Sequence, residues 1–249
     1  MPRYFLEVAY KGERYSGFQI QENAATIQSE IERAFHIFFK TSVELTGSSR
    51  TDAGVHALQN FFHFDWLDDF NNKHIYNLNA ILPDDIVIKH ALRVQSHAHA
   101  RFDATSRQYQ YHVYFDKNPF QQDRAWFFPF KTDRLLLDET AAYIKSESNF
   151  LSFCRQNSQV KTFICNILES RWEEQEGRLV YHVEANRFLR GMVRALVATM
   201  LQVARGNKSM DEFRRFFTEP VQSSADFSAP AKGLFLCKVN YPKGQFLSE

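Results

Sequence analysis

Residues 108–115 alternate without a break, with Tyr109, Tyr111, Val113 and Phe115 on one side and Gln110, His112 and Tyr114 on the other. A period of two marks a β-strand whose two faces meet different surroundings. Such a strand needs partners along its edges and a covering layer over its apolar face. The partners are legible elsewhere. Residues 179–185 alternate in the same way, residues 3–10, 43–46 and 60–64 read as further strands, and residues 234–241 close the chain as another. The covering layer is legible too. Thr26 opens the series Ile27, Ile31, Ala34, Phe35, Phe38 and Phe39 at helical spacing, and Met192, Val193, Leu196, Val197, Met200 and Leu201 form a second helical stripe. Strand runs joined by irregular loops, with few helices between them, favour an α+β fold with a largely antiparallel sheet.

At 249 residues, 44% of them hydrophobic, the chain can bury a substantial core as one large domain or two halves. No linker rich in Pro or Gly divides it, and no repeat of 20 to 50 residues is present. The least patterned stretch, residues 93–106, is the expected seam between an N-terminal half, 1–103, and a C-terminal half, 104–249. Lys and Arg number 30 against 29 Asp and Glu, a net charge of +1, so an anionic partner must be met by local clusters of charge. Cys154, Cys165 and Cys237 are odd in number and far apart, which suits buried thiols in a reducing compartment better than a disulfide framework or a thiolate metal site. The first apolar run meets Glu7, and the stretch 192–204 is interrupted by Arg194. A soluble cytoplasmic protein is expected.

Four groups of residues have the composition of chemistry. Asp52 lies in a loop rich in Ser, Asp and Gly, two residues after Arg50 and two before Gly54. A carboxylate beside a guanidinium stays ionised and can attack an electrophilic carbon, but the same spacing also describes an Asx-turn beside a surface arginine. His56, four residues on, would align with Asp52 on a helix; with Gly54 between them it reads as a loop histidine bonded locally, not as a metal ligand. Tyr109 follows Arg101, Phe102 and Arg107, a mixture of rings and guanidinium groups that suits base stacking and phosphate contact, while Tyr111 reads as a core residue. Arg187, Arg190, Arg194 and Arg205 are spaced to fall near one face of a helix, which would serve a phosphate backbone or stand as an ordinary solvated face.

Several separated segments resemble one family, the TruA-type tRNA pseudouridine synthases. The most specific is Ser49-Arg50-Thr51-Asp52-Ala53-Gly54-Val55-His56-Ala57, which resembles the nucleophile loop. Tyr10-Lys11-Gly12, Ser16-Gly17-Phe18-Gln19 and Thr26-Ile27-Gln28 resemble the first strand and helix, and Ala100-Arg101-Phe102-Asp103-Ala104-Thr105-Ser106-Arg107, running into Tyr109 and Tyr111, a second motif. Asn149-Phe150-Leu151-Ser152-Phe153, Asn186 to Arg194 and Lys232-Gly233-Leu234-Phe235-Leu236 complete a resemblance that runs nearly end to end. Lys11 stands where the family commonly has Asp, Phe18 where Trp is usual, Ser49 where Gly is common, and Cys165 near a usual Arg. These departures bear on RNA contacts and leave the catalytic groups intact.

The resemblance implies a pseudouridine synthase fold of two similar α/β halves whose sheets join across a central active-site cleft, and a homodimer that binds tRNA across both subunits. It implies isomerisation of uridine to pseudouridine in the anticodon stem-loop, at positions 38, 39 and/or 40, with Asp52 as nucleophile. Tyr109 would pack on the target base, Arg194 would pair with Asp52, Leu234 would line the pocket, and Arg50, with Arg187 and Arg190, would hold the substrate RNA. Substrate and product are isomers, so no redox cofactor is needed, and the chain carries no dinucleotide or phosphate-loop signature. No metal and no membrane partner are expected. The other readings are an RNA-binding or chaperone-like paralogue, a synthase acting on a different RNA, and a metal-dependent hydrolase built on Asp52 and His56.

Overall fold

The computed structural model describes residues 1–156 and 160–247. The chain divides into two compact units, Met1–Thr105 with Phe235–Glu249, and Ser106–Leu234. Each mixes strands with helices, and each forms around its longest alternating strands.

In the first unit, β1 (Arg3–Tyr10) is flanked antiparallel by β3 (His56–Asp65) and β4 (Ile86–Val94). One edge of β3 also takes the two-residue β2 (Thr46–Gly47) and, in parallel, β9 (Leu234–Asn240), where His56 lies opposite Phe235 and Ala57 opposite Leu236. The strand expected at 43–46 is therefore shorter and later, because residues 43–45 make no ladder. α1 (Ile27–Phe39) forms as its spacing predicts and buries Ile27, Ile31, Ala34 and Phe35. Thr26 caps it: its hydroxyl accepts from the Ser29 N–H while the Ser29 side chain accepts from the Thr26 N–H, so two otherwise unpaired amides are satisfied. α2 (Asn72–Ile81) buries only Ile75 and Leu78. Phe35, Phe64 and Phe70 pack with ring centroids 5.2 to 5.7 Å apart and form the centre of this core.

The second unit is built on β5 (Ser106–Tyr114), which pairs antiparallel with β8 (Arg178–Ala185), and β8 in turn pairs with β7 (Ile167–Gln175). The short β6 (Trp126–Phe127) runs parallel to β5. α3 (Arg134–Ser146) opens at Asp133, whose carboxylate accepts from the amides of Leu135 and Leu136, and α5 (Met210–Thr218) opens on a Ser209/Glu212 capping box. Most of α4 (Met192–Ala204), from Met192 to Ala204, is buried, so this helix is the core of the unit. Trp172 of β7 donates its indole N–H to the Met200 sulfur at 3.4 Å.

The last strand belongs with the first unit, not with the residues that precede it in sequence. Its pairing with β3 explains that assignment, since residues 235–236 add to an edge formed by residues 56–57.

Candidate functional site

The loop between β2 and β3, residues 48–55, carries Arg50 and Asp52 and is held from three sides within the first unit. From below, Asn60 of β3 reaches it with a fully buried side chain: Oδ1 accepts from the Ser48 hydroxyl at 2.7 Å and from the Phe61 N–H at 2.9 Å, while Nδ2 donates to the Ser49 carbonyl at 3.0 Å and to the Tyr10 hydroxyl at 3.1 Å. From β1, the Tyr10 hydroxyl lies 2.8 Å from Thr51 Oγ1. Burial pushes the Tyr10 phenol far above its ordinary range, so it stays protonated.

The third side is the segment after β1. Gly12 passes so close to Val55 that an added Cβ would lie 2.0 Å from the Val55 carbonyl oxygen. Gly17 adopts φ +102°, and the Phe18 N–H donates to the Thr51 carbonyl at 3.2 Å. Phe18 stacks on Phe62 with centroids 4.4 Å apart, and its ring edge occupies the space that a side chain at Gly47 would need. Inside this frame the chain turns tightly: the Val55 N–H donates to the Asp52 carbonyl at 3.1 Å, with Gly54 at φ +78°. The Asp52 side chain is half-buried and Arg50 is exposed. A half-buried carboxylate on a backbone held in this way suits attack on a bound ligand.

His56 is the first residue of β3, not a loop residue, and is 3% exposed. Its Nδ1 accepts from the Gly12 N–H at 3.2 Å and its ring stacks on Phe235 at 4.6 Å, so it ties down the same segment that packs on Val55. Among the described residues no group of three or more His, Cys, Asp or Glu is placed to hold a metal ion.

In the second unit, Tyr109 lies on β5 opposite Val183, half-buried, with its ring edge-on to Phe188 at 5.0 Å. Tyr111 is fully buried, as a core reading expects, but it also has a structural task. Its hydroxyl donates to the Pro230 carbonyl at 2.7 Å, and its ring covers Gly233, where a Cβ would come within 2.7 Å of Cζ. Arg194, in the first turn of α4, donates Nε–H to the Ala229 carbonyl at 2.7 Å. Residues 229–233 are thus held by Arg194 at Ala229 and by Tyr111 at Pro230 and Gly233, just before the buried Leu234.

The arginines do not form a single helical row. Gly191, at φ +73°, is the N-cap of α4, so Arg187 and Arg190 precede the helix in the connection from β8, and Arg205 follows it. Arg187 is half-buried near Cys165, a thiol that burial pushes up to about 11 against the opposing pull of this guanidinium. The exposed Arg190 accepts the Arg155 N–H at its carbonyl, 3.0 Å away. Arg205 stacks on Phe130, 3.7 Å from the ring centre.

Sequence reasoning missed Tyr10 and Asn60 as parts of the site. The signal for Tyr10 was its place in the Tyr10-Lys11-Gly12 segment; the signal for Asn60 was a polar residue beside the paired rings Phe61 and Phe62.

Comparisons with known proteins bear on both units. Residues 145–242 match the family described as tRNA pseudouridine synthase. Over 249 residues the chain is 41% identical to tRNA pseudouridine synthase A of Bacteroides fragilis, with 98% of each chain covered. It is 37% identical over 247 residues to the protein of the same name from Azobacteroides pseudotrichonymphae, covering 99% of each. The Staphylococcus aureus protein of that name, strain MRSA252, is 32% identical over 252 residues, covering 99% of this chain and 95% of the relative.

Proposed function

This chain belongs to the tRNA pseudouridine synthase A family and isomerises uridine to pseudouridine in tRNA; we propose that its targets lie in the anticodon stem-loop and that Asp52 is the covalent nucleophile. The observation that carries the nucleophile reading is the bracing of residues 48–55 around the half-buried Asp52.

The reaction breaks the bond between N1 of the base and C1′ of the ribose and forms one between C5 and C1′. Asp52 attacks either the anomeric carbon, displacing N1, or the pyrimidine ring, whose addition loosens the N1–C1′ bond; the freed uracil turns, C5 bonds to C1′, the bond to Asp52 breaks and returns the carboxylate, and the C5 proton leaves. A glycosidase needs a second carboxylate to handle the leaving group and water. Here the leaving group is also the incoming nucleophile, so one carboxylate serves, provided the base cannot escape. Tyr109 packs on the base and can take part in the final proton transfer, and Leu234 belongs to the apolar wall that excludes water. Arg194 completes the catalytic set with its planar guanidinium.

A uridine stacked in a stem must be extruded first, at a cost of a few kcal/mol offset by stacking and phosphate contacts. Arg50, Arg187 and Arg190 hold the substrate RNA. The working enzyme is a homodimer of cytoplasmic location, acting on tRNA without a cofactor or metal. Among the described residues no helix is long and apolar enough to cross a membrane.

The test is tritium release from tRNA carrying uridine labelled at carbon 5, comparing wild type with Asp52→Ala. Release should be abolished in the variant while tRNA binding persists. Equal release by the two proteins would end the assignment.

A further inference from the structure

Asn60 uses its whole hydrogen-bonding capacity, two acceptor and two donor contacts, without any exposure to solvent. That fixes the orientation of its amide. A flipped amide would set an NH2 group against the Phe61 N–H and an oxygen against the Ser49 carbonyl, two pairings of like with like in a buried place. With Nδ2 facing Tyr10, the phenol oxygen accepts, and its own hydrogen is directed to Thr51 Oγ1, 2.8 Å away. Donation therefore runs one way, from Ser48 to Asn60, from Asn60 to Tyr10 and from Tyr10 to Thr51, the residue immediately before Asp52.

From this chain of donors we infer that Tyr10 and Asn60 are positioning residues for the reaction: they set the backbone of Thr51, and through it the direction of the Asp52 side chain. The inference rests on the reading of Asp52 as nucleophile and extends it to residues that touch no substrate. Three features support it. The contacts fall on residues 48, 49 and 51, so the turn is fixed on its approach to residue 52 and by Phe18 on the Thr51 carbonyl. The partners come from β1 and β3, adjacent antiparallel strands that pair Val8 with Asn60 and, past a register shift, Tyr10 with Ala57, so both braces are anchored in one ladder. And a phenol held protonated by burial donates throughout the pH range in which such an enzyme works.

Losing one neutral hydrogen bond in a buried network costs stability, but a nucleophile displaced by a fraction of an ångström costs rate, and only the second effect appears in turnover measured on folded protein. Tyr10→Phe keeps the ring, and with it the packing against Phe18, while removing the hydroxyl. Thr51→Val removes the acceptor at the other end of the same bond with nearly unchanged volume; Thr51→Ser retains it.

The experiment measures tritium release at saturating tRNA and, separately, tRNA binding, for Tyr10→Phe, Thr51→Val, Thr51→Ser and the Tyr10→Phe/Thr51→Val double variant, each corrected for folded fraction. We expect kcat to fall about tenfold or more in Tyr10→Phe and in Thr51→Val with KM and binding unchanged, Thr51→Ser to stay near wild type, and the double variant to lose no more than one single variant. Wild-type kcat in Tyr10→Phe, or losses that multiply in the double variant, would overturn the inference. Asp52→Ala, assayed alongside, separates the two readings. If it is inactive while Tyr10→Phe is normal, only the network falls; if it is active, the nucleophile assignment itself falls.

Discussion

Gly12 carries no functional group, yet it sits at the tightest contact around the proposed site. An alanine there would place its Cβ 2.0 Å from the Val55 carbonyl oxygen and 2.7 Å from the carbonyl carbon, and backbone atoms cannot turn aside as a side-chain tip can. The Gly12 amide also donates to His56, so a shift that relieved the clash would break this bond as well. Gly12→Ala should lower stability by at least about 2 kcal/mol, seen as an earlier urea midpoint, and should reduce tritium release by the protein that remains folded. A wild-type midpoint would show that the close approach is not needed. Asp52 is only half legible in the sequence. Spacing alone describes a polar turn, and the neighbouring motif residues gave it meaning. The braces were not legible, because Tyr10 and Asn60 meet 50 residues apart in sequence and Tyr10 meets Thr51 across 41. Periodicity reports which face of a strand is buried; it does not report which hydroxyl a buried amide will find.

Elements were legible where one apolar face dominates. β1, β5, β8, α1 and α4 form where their alternation or helical stripe places them. α2, α3, α5, β4 and β7 are not so placed, for separate reasons. β7 buries Ile167, Ser170 and Trp172 but carries Glu169, Arg171 and Glu173, which pair with one another, on its outer side. β4 exposes Val87 and shifts register against β1 between Glu7 and Val8, which breaks its alternation. α3 leaves Leu135 79% exposed, so its stripe is blurred, while α5 buries only Phe213 and Phe217. The arginines expected along one helix face are split between elements, because Gly191 in the left-handed region starts the helix after Arg187 and Arg190. α1 offers the clean test of how much an end contributes. Thr26 is fully buried and its hydroxyl both accepts from the Ser29 amide and bonds the Ser29 side chain. Thr26→Ala should cost about 1 to 2 kcal/mol in urea unfolding, with turnover per folded molecule unchanged. No loss of stability would mean that packing alone holds the helix start.

For the molecule as a whole, the near balance of 30 basic and 29 acidic residues means that long-range attraction for tRNA is weak. Much of the positive charge is also engaged internally: Arg3 with Asp65, Arg14 with Asp85, Arg33 with Glu30, Arg134 with Asp138 and Arg171 with Glu169 and Glu173. Binding should then depend on a few local cations, of which the exposed Arg190 is one proposed member. Each phosphate neutralised by such a group releases counterion, so the slope of log affinity against log salt counts the contacts. Arg190→Ala should weaken tRNA binding and reduce the magnitude of that slope by about 1, while single-turnover release at saturating enzyme stays at the wild-type rate. Arg171→Ala, which removes an exposed arginine already paired with carboxylates, is the control and should leave the slope unchanged. Parallel salt plots for wild type and Arg190→Ala would remove Arg190 from the RNA contacts. A changed slope in both variants would instead mean that overall charge, not local clustering, draws the tRNA in.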